Sequence, residues 1–111
     1  QVCIQVNTDG GSTKAGVAPD MLAELAHAIR ELPRLRLRGL MTIPEPAPDF
    51  ESACALHARA RALFEQLNAQ GLALDTLSMG MSADLEAAIH AGSTMVRVGT
   101  AIFGARAPLK P

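Results

Sequence analysis

Two short segments near the end of the chain carry the residue types that hold an anion. Gly80-Met81-Ser82 and Gly99-Thr100 each join a glycine to a hydroxyl, and each stands directly before a stretch that reads as a helix start. A glycine lets a ligand approach the backbone, a hydroxyl can donate or accept, and the first amides of a helix lack partners within it. Together these groups suit a phosphate. The same spacing fits a plainer role, in which Ser82 and Thr100 are helix N-caps and nothing more. Spacing alone leaves both open. Arg97 stands between Val96 and Val98 in an otherwise apolar run. A buried guanidinium needs a partner, so Arg97 reads either as half of a structural ion pair or as a ligand contact at a strand end.

Other chemistry finds little support. Residues 10–14 look faintly like a P-loop, but Ala15 follows Lys14 where a serine or threonine is needed. His27, His57 and His90 fall on three different helical stretches without metal-ligand spacing, and read as surface or interface residues. No metal site is expected. There is no Gly-x-Ser-x-Gly elbow and no tyrosine. Asp84 and Glu86 suit the start of a helix, where acids are favourable. Cys3 and Cys54 belong to no Cys-x-x-Cys pair and read as buried free thiols of a reducing cytoplasm.

The elements that must position the two loops repeat in order. Strands are expected at residues 2–6, 35–41, 74–78 and 94–98. A helix follows each: one opened by Pro19 and Asp20 and stopped by Pro33, and one capped by Asp49 and ended by Gly71. The third is capped by Ser82 and ended by Gly92, and the last is a single turn at 101–104. In the first helix Leu22, Leu25, Ala26, Ile29 and Leu32 form the buried stripe; in the second, Phe50, Ala53, Cys54, His57, Phe64 and Leu67 do. Strand then helix, four times over, predicts a parallel sheet with right-handed crossovers. A small doubly wound sheet and half of an eight-fold barrel both fit. A full barrel takes about 250 residues and this chain has 111, which favours the half-barrel. As units five to eight of a barrel, the strands would present Ser82 and Thr100 at the end where barrels bind phosphate.

Composition removes several classes. Hydrophobic residues make up 49% of the chain, and net charge is −1. That suits a packed domain rather than a disordered tail. No apolar run approaches the length of a membrane span, and no membrane partner is expected. Of the eight arginines only Arg34, Arg36 and Arg38 cluster, alternating with leucines as on one solvated strand face, so no nucleic-acid partner is expected. The chain opens at Gln1 directly into a strand, which predicts a segment of a longer protein. Its open sheet edges predict self-association of the segment alone.

Several motifs together resemble one family. They are Gln5-Val6-Asn7, Lys14-x-Gly16, residues 38–44 (Arg-Gly-Leu-Met-Thr-Ile-Pro), Leu77-Ser78-Met79-Gly80-Met81-Ser82-x-Asp84, and residues 96–104 (Val-Arg-Val-Gly-Thr-Ala-Ile-Phe-Gly). This set resembles the pyridoxal phosphate homeostasis proteins, single-domain relatives of the alanine racemase barrel. The resemblance implies a (β/α)8 TIM barrel of which residues 1–104 are the C-terminal half; the polar, proline-bearing stretch 105–111 reads as a flexible tail. It implies pyridoxal 5'-phosphate as cofactor, with its phosphate on Ser82, Gly99 and Thr100. Arg97 would lie by the pyridine nitrogen, and Met81 would line the ring pocket. The lysine that anchors the cofactor would lie in the N-terminal half of the barrel, the partner this chain lacks, so no catalytic residue is expected here. The implied role is cofactor binding and homeostasis in the cytoplasm rather than turnover. Two rivals are an amino-acid racemase on the same barrel, for which the matching tyrosine is absent, and a purely structural half-barrel.

Overall fold

The structure is a computed structural model that describes residues 1–10 and 15–106. Lys14, most of the P-loop-like stretch, Lys110 and the tail from residue 107 lie outside the described residues.

Among the described residues four strands and four α-helices alternate: β1 (Val2–Gln5), α1 (Leu22–Arg30, entered through a 3-10 turn at Pro19–Met21), β2 (Leu37–Met41), α2 (Phe50–Ala69), β3 (Thr76–Met81), α3 (Leu85–His90), β4 (Met95–Arg97) and α4 (Thr100–Phe103). The strands form one parallel sheet in the order β1-β2-β3-β4. This order decides between the two expected architectures. A doubly wound sheet reverses direction partway, whereas successive strands that always step the same way, joined by right-handed crossovers, stack every helix on one face. A barrel wall is built this way.

Register sets which side chains meet the helices. Ile4, Leu40 and Leu77 share one row across the sheet, and all three are buried. They pack with Leu22 and Ala26 of α1, Phe64 and Leu67 of α2, and Ala88 of α3. The next row, Gln5, Met41, Ser78 and Met95, points to the opposite face. No layer of described residues covers that face. Cys3, expected as a buried thiol, is exposed there for that reason, and Cys54 is half-buried.

The helices form largely where their capping residues place them. The Asp49 side chain accepts from the Ser52 amide at 2.7 Å and starts α2. Gly71, at φ 89°, takes the left-handed turn that ends it. The apolar stripes are narrower than expected. Leu25 and Leu32 stay exposed beside buried Leu22 and Ala26, and Phe50 stays exposed at the start of α2, because no element among the described residues covers those sides. β2 also begins two residues later than expected. Val2 pairs with Leu37, so residues 35 and 36 lie beyond the strand that would continue the row.

Of the three clustered arginines, Arg38 has a defined task. Its Nε and Nη2 each donate to the Asp75 carboxylate at 2.8 Å, a bidentate clamp between β2 and the entry to β3, and its Nη1 donates to Gln1. The Arg38 guanidinium, with help from the Thr76 hydroxyl, lowers the Asp75 carboxyl from 3.8 to about 2. A carboxyl depressed on folding contributes stability above its unfolded value and loses it as pH falls through the folded value. Asp75→Asn should therefore melt below wild type at neutral pH, with the gap closing between pH 4 and pH 2. Thermal melts across that range check this, and a gap independent of pH would contradict it.

Candidate functional site

β3 does not stop at Ser78. It continues through Met79, Gly80 and Met81, residues whose pattern suggests a loop. The extension depends on an irregularity: between Ser78 and Met81 the register against β4 shifts, so that Ser78 pairs with Met95 and Met81 with Arg97. Gly80 permits the shift. Its φ of 101° lies in the region that favours glycine, and a Cβ there would stand 2.5 Å from the Ala88 Cβ of α3. The backbone thus lies against α3 at Gly80 and turns Met81 outward, where it is 47% exposed.

The same turn moves the start of α3. That helix begins at Leu85 with Asp84 in the capping position, not at Ser82. Ser82 is therefore not its N-cap, and the expected meeting of two helix N-termini does not occur. Ser82 serves the other helix instead. Its Oγ accepts from the Gly99 amide at 3.3 Å and the Ala101 amide at 3.0 Å, capping α4 from across the sheet end. A hydroxyl accepts two hydrogen bonds and donates one. With both acceptor positions filled by amides, the Ser82 O–H is left to point away from α4.

Gly99 and Thr100 begin α4, as the sequence suggested. Nothing in the fold demands glycine at position 99: its φ is −121°, and a Cβ there would meet no atom within 4 Å. The absent side chain leaves open space at a helix start. Met81, Ser82, Gly99 and Thr100 line one open cleft of about 1050 Å³, closed on its other side by the proline-rich loop after β2 and by Phe50.

Arg97 does not line that cleft. Its guanidinium reaches across the strand ends, donating from Nη2 to the Thr42 carbonyl at 2.6 Å and from Nη1 towards the Met41 sulfur at 3.3 Å. Burial pulls its pKa below the ordinary value, and the Asp84 charge acts in the opposite sense. Among the described residues no carboxylate forms an ion pair with it, so the structural salt bridge fails. Its Nε is buried without a partner. Through the Met81–Arg97 pairing it stands one strand from the cleft.

Two participants escaped the sequence reading. Asp84, expected only as a favourable charge, uses both carboxylate oxygens: Oδ1 accepts from the Met81 amide at 2.8 Å, and Oδ2 bonds His57 Nε2 at 2.8 Å. His57 is not a surface residue. It is 1% exposed, held inside α2's apolar stripe. The signal was present, since a histidine four residues after Ala53 and seven before Phe64 must be buried and therefore needs a polar partner. His27 and His90 do lie at the surface. No group of three or more His, Cys, Asp or Glu among the described residues could hold a metal ion.

A one-way parallel βα sheet, with glycine and hydroxyl groups gathered at its C-terminal strand ends, is the arrangement found in the wall of a βα barrel. The chain belongs to the alanine racemase N-terminal domain family, whose model matches residues 1–107. It is 58% identical over 105 residues to the pyridoxal phosphate homeostasis protein of Pseudomonas aeruginosa, covering 95% of this chain and 44% of that one. The protein of the same name from Escherichia coli is 51% identical, with 95% and 45% covered. The chain thus spans somewhat under half the length of these relatives. Among solved structures it resembles PipY of Synechococcus elongatus, at 37% identity and a TM-score of 0.82 without PLP. Against PipY with PLP bound the identity is 36% and the TM-score 0.78, covering 92% of this chain and 48% of that one.

The register shift makes a prediction of its own. Gly80→Ala adds a Cβ at a φ unfavourable to alanine and against Ala88, and should destabilise the fold by about 1–3 kcal/mol. A lower urea midpoint is expected, and an unchanged midpoint would show that the chain does not need glycine there.

Proposed function

We propose that this chain is the C-terminal half, units five to eight, of a (β/α)8 barrel that binds pyridoxal 5'-phosphate and takes part in its homeostasis. The carrying observation is the Ser82 hydroxyl, fixed by the Gly99 and Ala101 amides so that its own proton is left to meet an acceptor. Thr100 adds a helix N1 amide, which has no partner inside α4, and a second hydroxyl. Gly99 leaves the space through which a phosphate reaches these groups. The relatives' names and the PLP-bound PipY support this choice of ligand.

Each residue then has one task. Ser82, Gly99 and Thr100 hold the phosphate. Met81, turned outward at the end of β3, offers an apolar surface to the ring. Arg97 stands ready at the pyridine nitrogen, its guanidinium already fixed by Thr42 and its buried Nε still without a partner. A permanently charged donor at that nitrogen does not stabilise its protonated form as a carboxylate would. When bound, the cofactor supplies an aldehyde that captures amines and a ring able to withdraw electrons. An arginine at the nitrogen weakens that withdrawal, which suits a carrier better than a racemase. The anchoring lysine belongs to the other half of the barrel.

That other half also accounts for the uncovered sheet face. Met81 and Met95 on the sheet, with Ile102 and Phe103 of α4, expose apolar surface that this chain alone leaves in water. Expressed by itself, the segment should self-associate, and static light scattering should return a mass above its 11.6 kDa. A stable, cooperatively melting monomer would count against the half-barrel.

The phosphate site has a sharper test in the full-length protein. Ser82→Ala and Thr100→Ala should each weaken pyridoxal phosphate retention by about 1–2 kcal/mol, as for a lost hydrogen bond to a charged group. Gly99→Leu should weaken it more while leaving stability intact, because the added side chain fills ligand space and not the core. Equilibrium dialysis reads all three, and unchanged affinity throughout would remove the phosphate from these loops.

A further inference from the structure

The turn that presents Ser82 is not held by its own residues alone. Met81 and Asp84 are bridged by the Asp84 Oδ1 bond from the Met81 amide, which closes the turn around Ser82. The other carboxylate oxygen is committed to His57 Nε2, on the middle of α2 and 27 residues away in sequence. His57 is 1% exposed. With its proton on Nε2 the ring donates to the carboxylate, and Nδ1 remains a buried atom without a partner. A buried polar ring with one partner among apolar neighbours costs stability compared with a leucine or phenylalanine in the same space. The fold retains it where it can restrain one carboxylate.

We infer that His57 is a positioning residue for the anion site: through Asp84 it fixes the 81–84 turn and so aims the Ser82 hydroxyl. The contacts run without a gap from the buried ring to Asp84, from Asp84 to the Met81 amide, and from the adjacent Ser82 to the amides of α4. Without the imidazole, the Asp84 carboxylate can rotate into the cleft it borders, where its charge would repel a phosphate. The ring therefore does two things at once: it holds the turn, and it keeps a negative charge turned from the ligand. This inference rests on the phosphate reading, and its test separates the two.

The test is a ratio, measured in the full-length protein by equilibrium dialysis: retention of pyridoxal phosphate over retention of pyridoxal, which lacks the phosphate. His57→Phe keeps a ring of similar volume and removes the donor, and should lower the ratio about tenfold, the factor for one charge-assisted hydrogen bond. His57→Gln, whose amide can donate from near the Nε2 position, should recover most of the loss. Asp84→Ala should lower the ratio as well, and the double variant with His57→Phe no further, since both break the same brace. A purely structural role for His57 would lower the melting temperature and leave the ratio unchanged. That unchanged ratio, in a protein where Ser82→Ala still lowers it, would overturn the inference alone. An unchanged ratio in Ser82→Ala as well would overturn the phosphate reading beneath it. If His57→Phe does not fold, Asp84→Ala carries the test, and an unaltered ratio there overturns the brace.

Discussion

The hydrogen bonds from the Gly99 and Ala101 amides to the Ser82 hydroxyl tie the ends of two neighbouring strands into one site. They are local in space and remote in cause. Ser82 reaches α4 only because β3 runs on through Met81, two residues beyond its buried Met79, and β3 can do so only because the register against β4 slips at Gly80. Parallel strands in sequential order bring the two loops to the same end of the sheet. The glycine then adjusts their heights. The apolar row of Ile4, Leu40 and Leu77 holds that arrangement by packing against the helices, so the core and the site share one register.

The two faces of the sheet are built for different surroundings. One is closed by α1, α2 and α3 over an apolar core. The other carries Cys3, Met95 and Met81 into the open, beside the partly buried Arg97 guanidinium, whose Nε has no partner. Buried donors without partners are uncommon in finished folds, and the Arg97 Nε is one of them. The half-barrel reading gives that face both a covering layer and a ligand.

Much of this was legible in the residues. Asp49 and Gly71 mark helix ends by chemistry that depends on one or two neighbours, and both act where expected; Pro19 opens a 3-10 turn, Pro19–Met21, that leads into α1. Gly99-Thr100 was found as a helix start, and Met81, Ser82, Gly99 and Thr100 do line one cleft. What failed depended on contacts between elements. The extension of β3 through Gly80 needs the slip against β4, which no single-strand pattern encodes. Ser82 looked like the cap of the helix that follows it, because serine before an acidic turn usually is one; a carboxylate two residues later took that place. His57 was read as a surface residue although it lay on an apolar stripe, since its partner Asp84 lies 27 residues away on another element. Cys3 reads as buried because an apolar strand suggests two covered faces, but the described residues cover only one and Cys3 lies exposed.

The central claim is that a phosphate sits where the Ser82 proton and the start of α4 point. A crystal structure of the full-length protein soaked with pyridoxal phosphate tests it most directly. Phosphate oxygens are expected within about 3 Å of Ser82 Oγ and of the Thr100 amide, with the Gly99 backbone alongside and no side chain displaced to admit them. Phosphate density elsewhere, with Ser82 and the α4 amides left facing solvent, would contradict it.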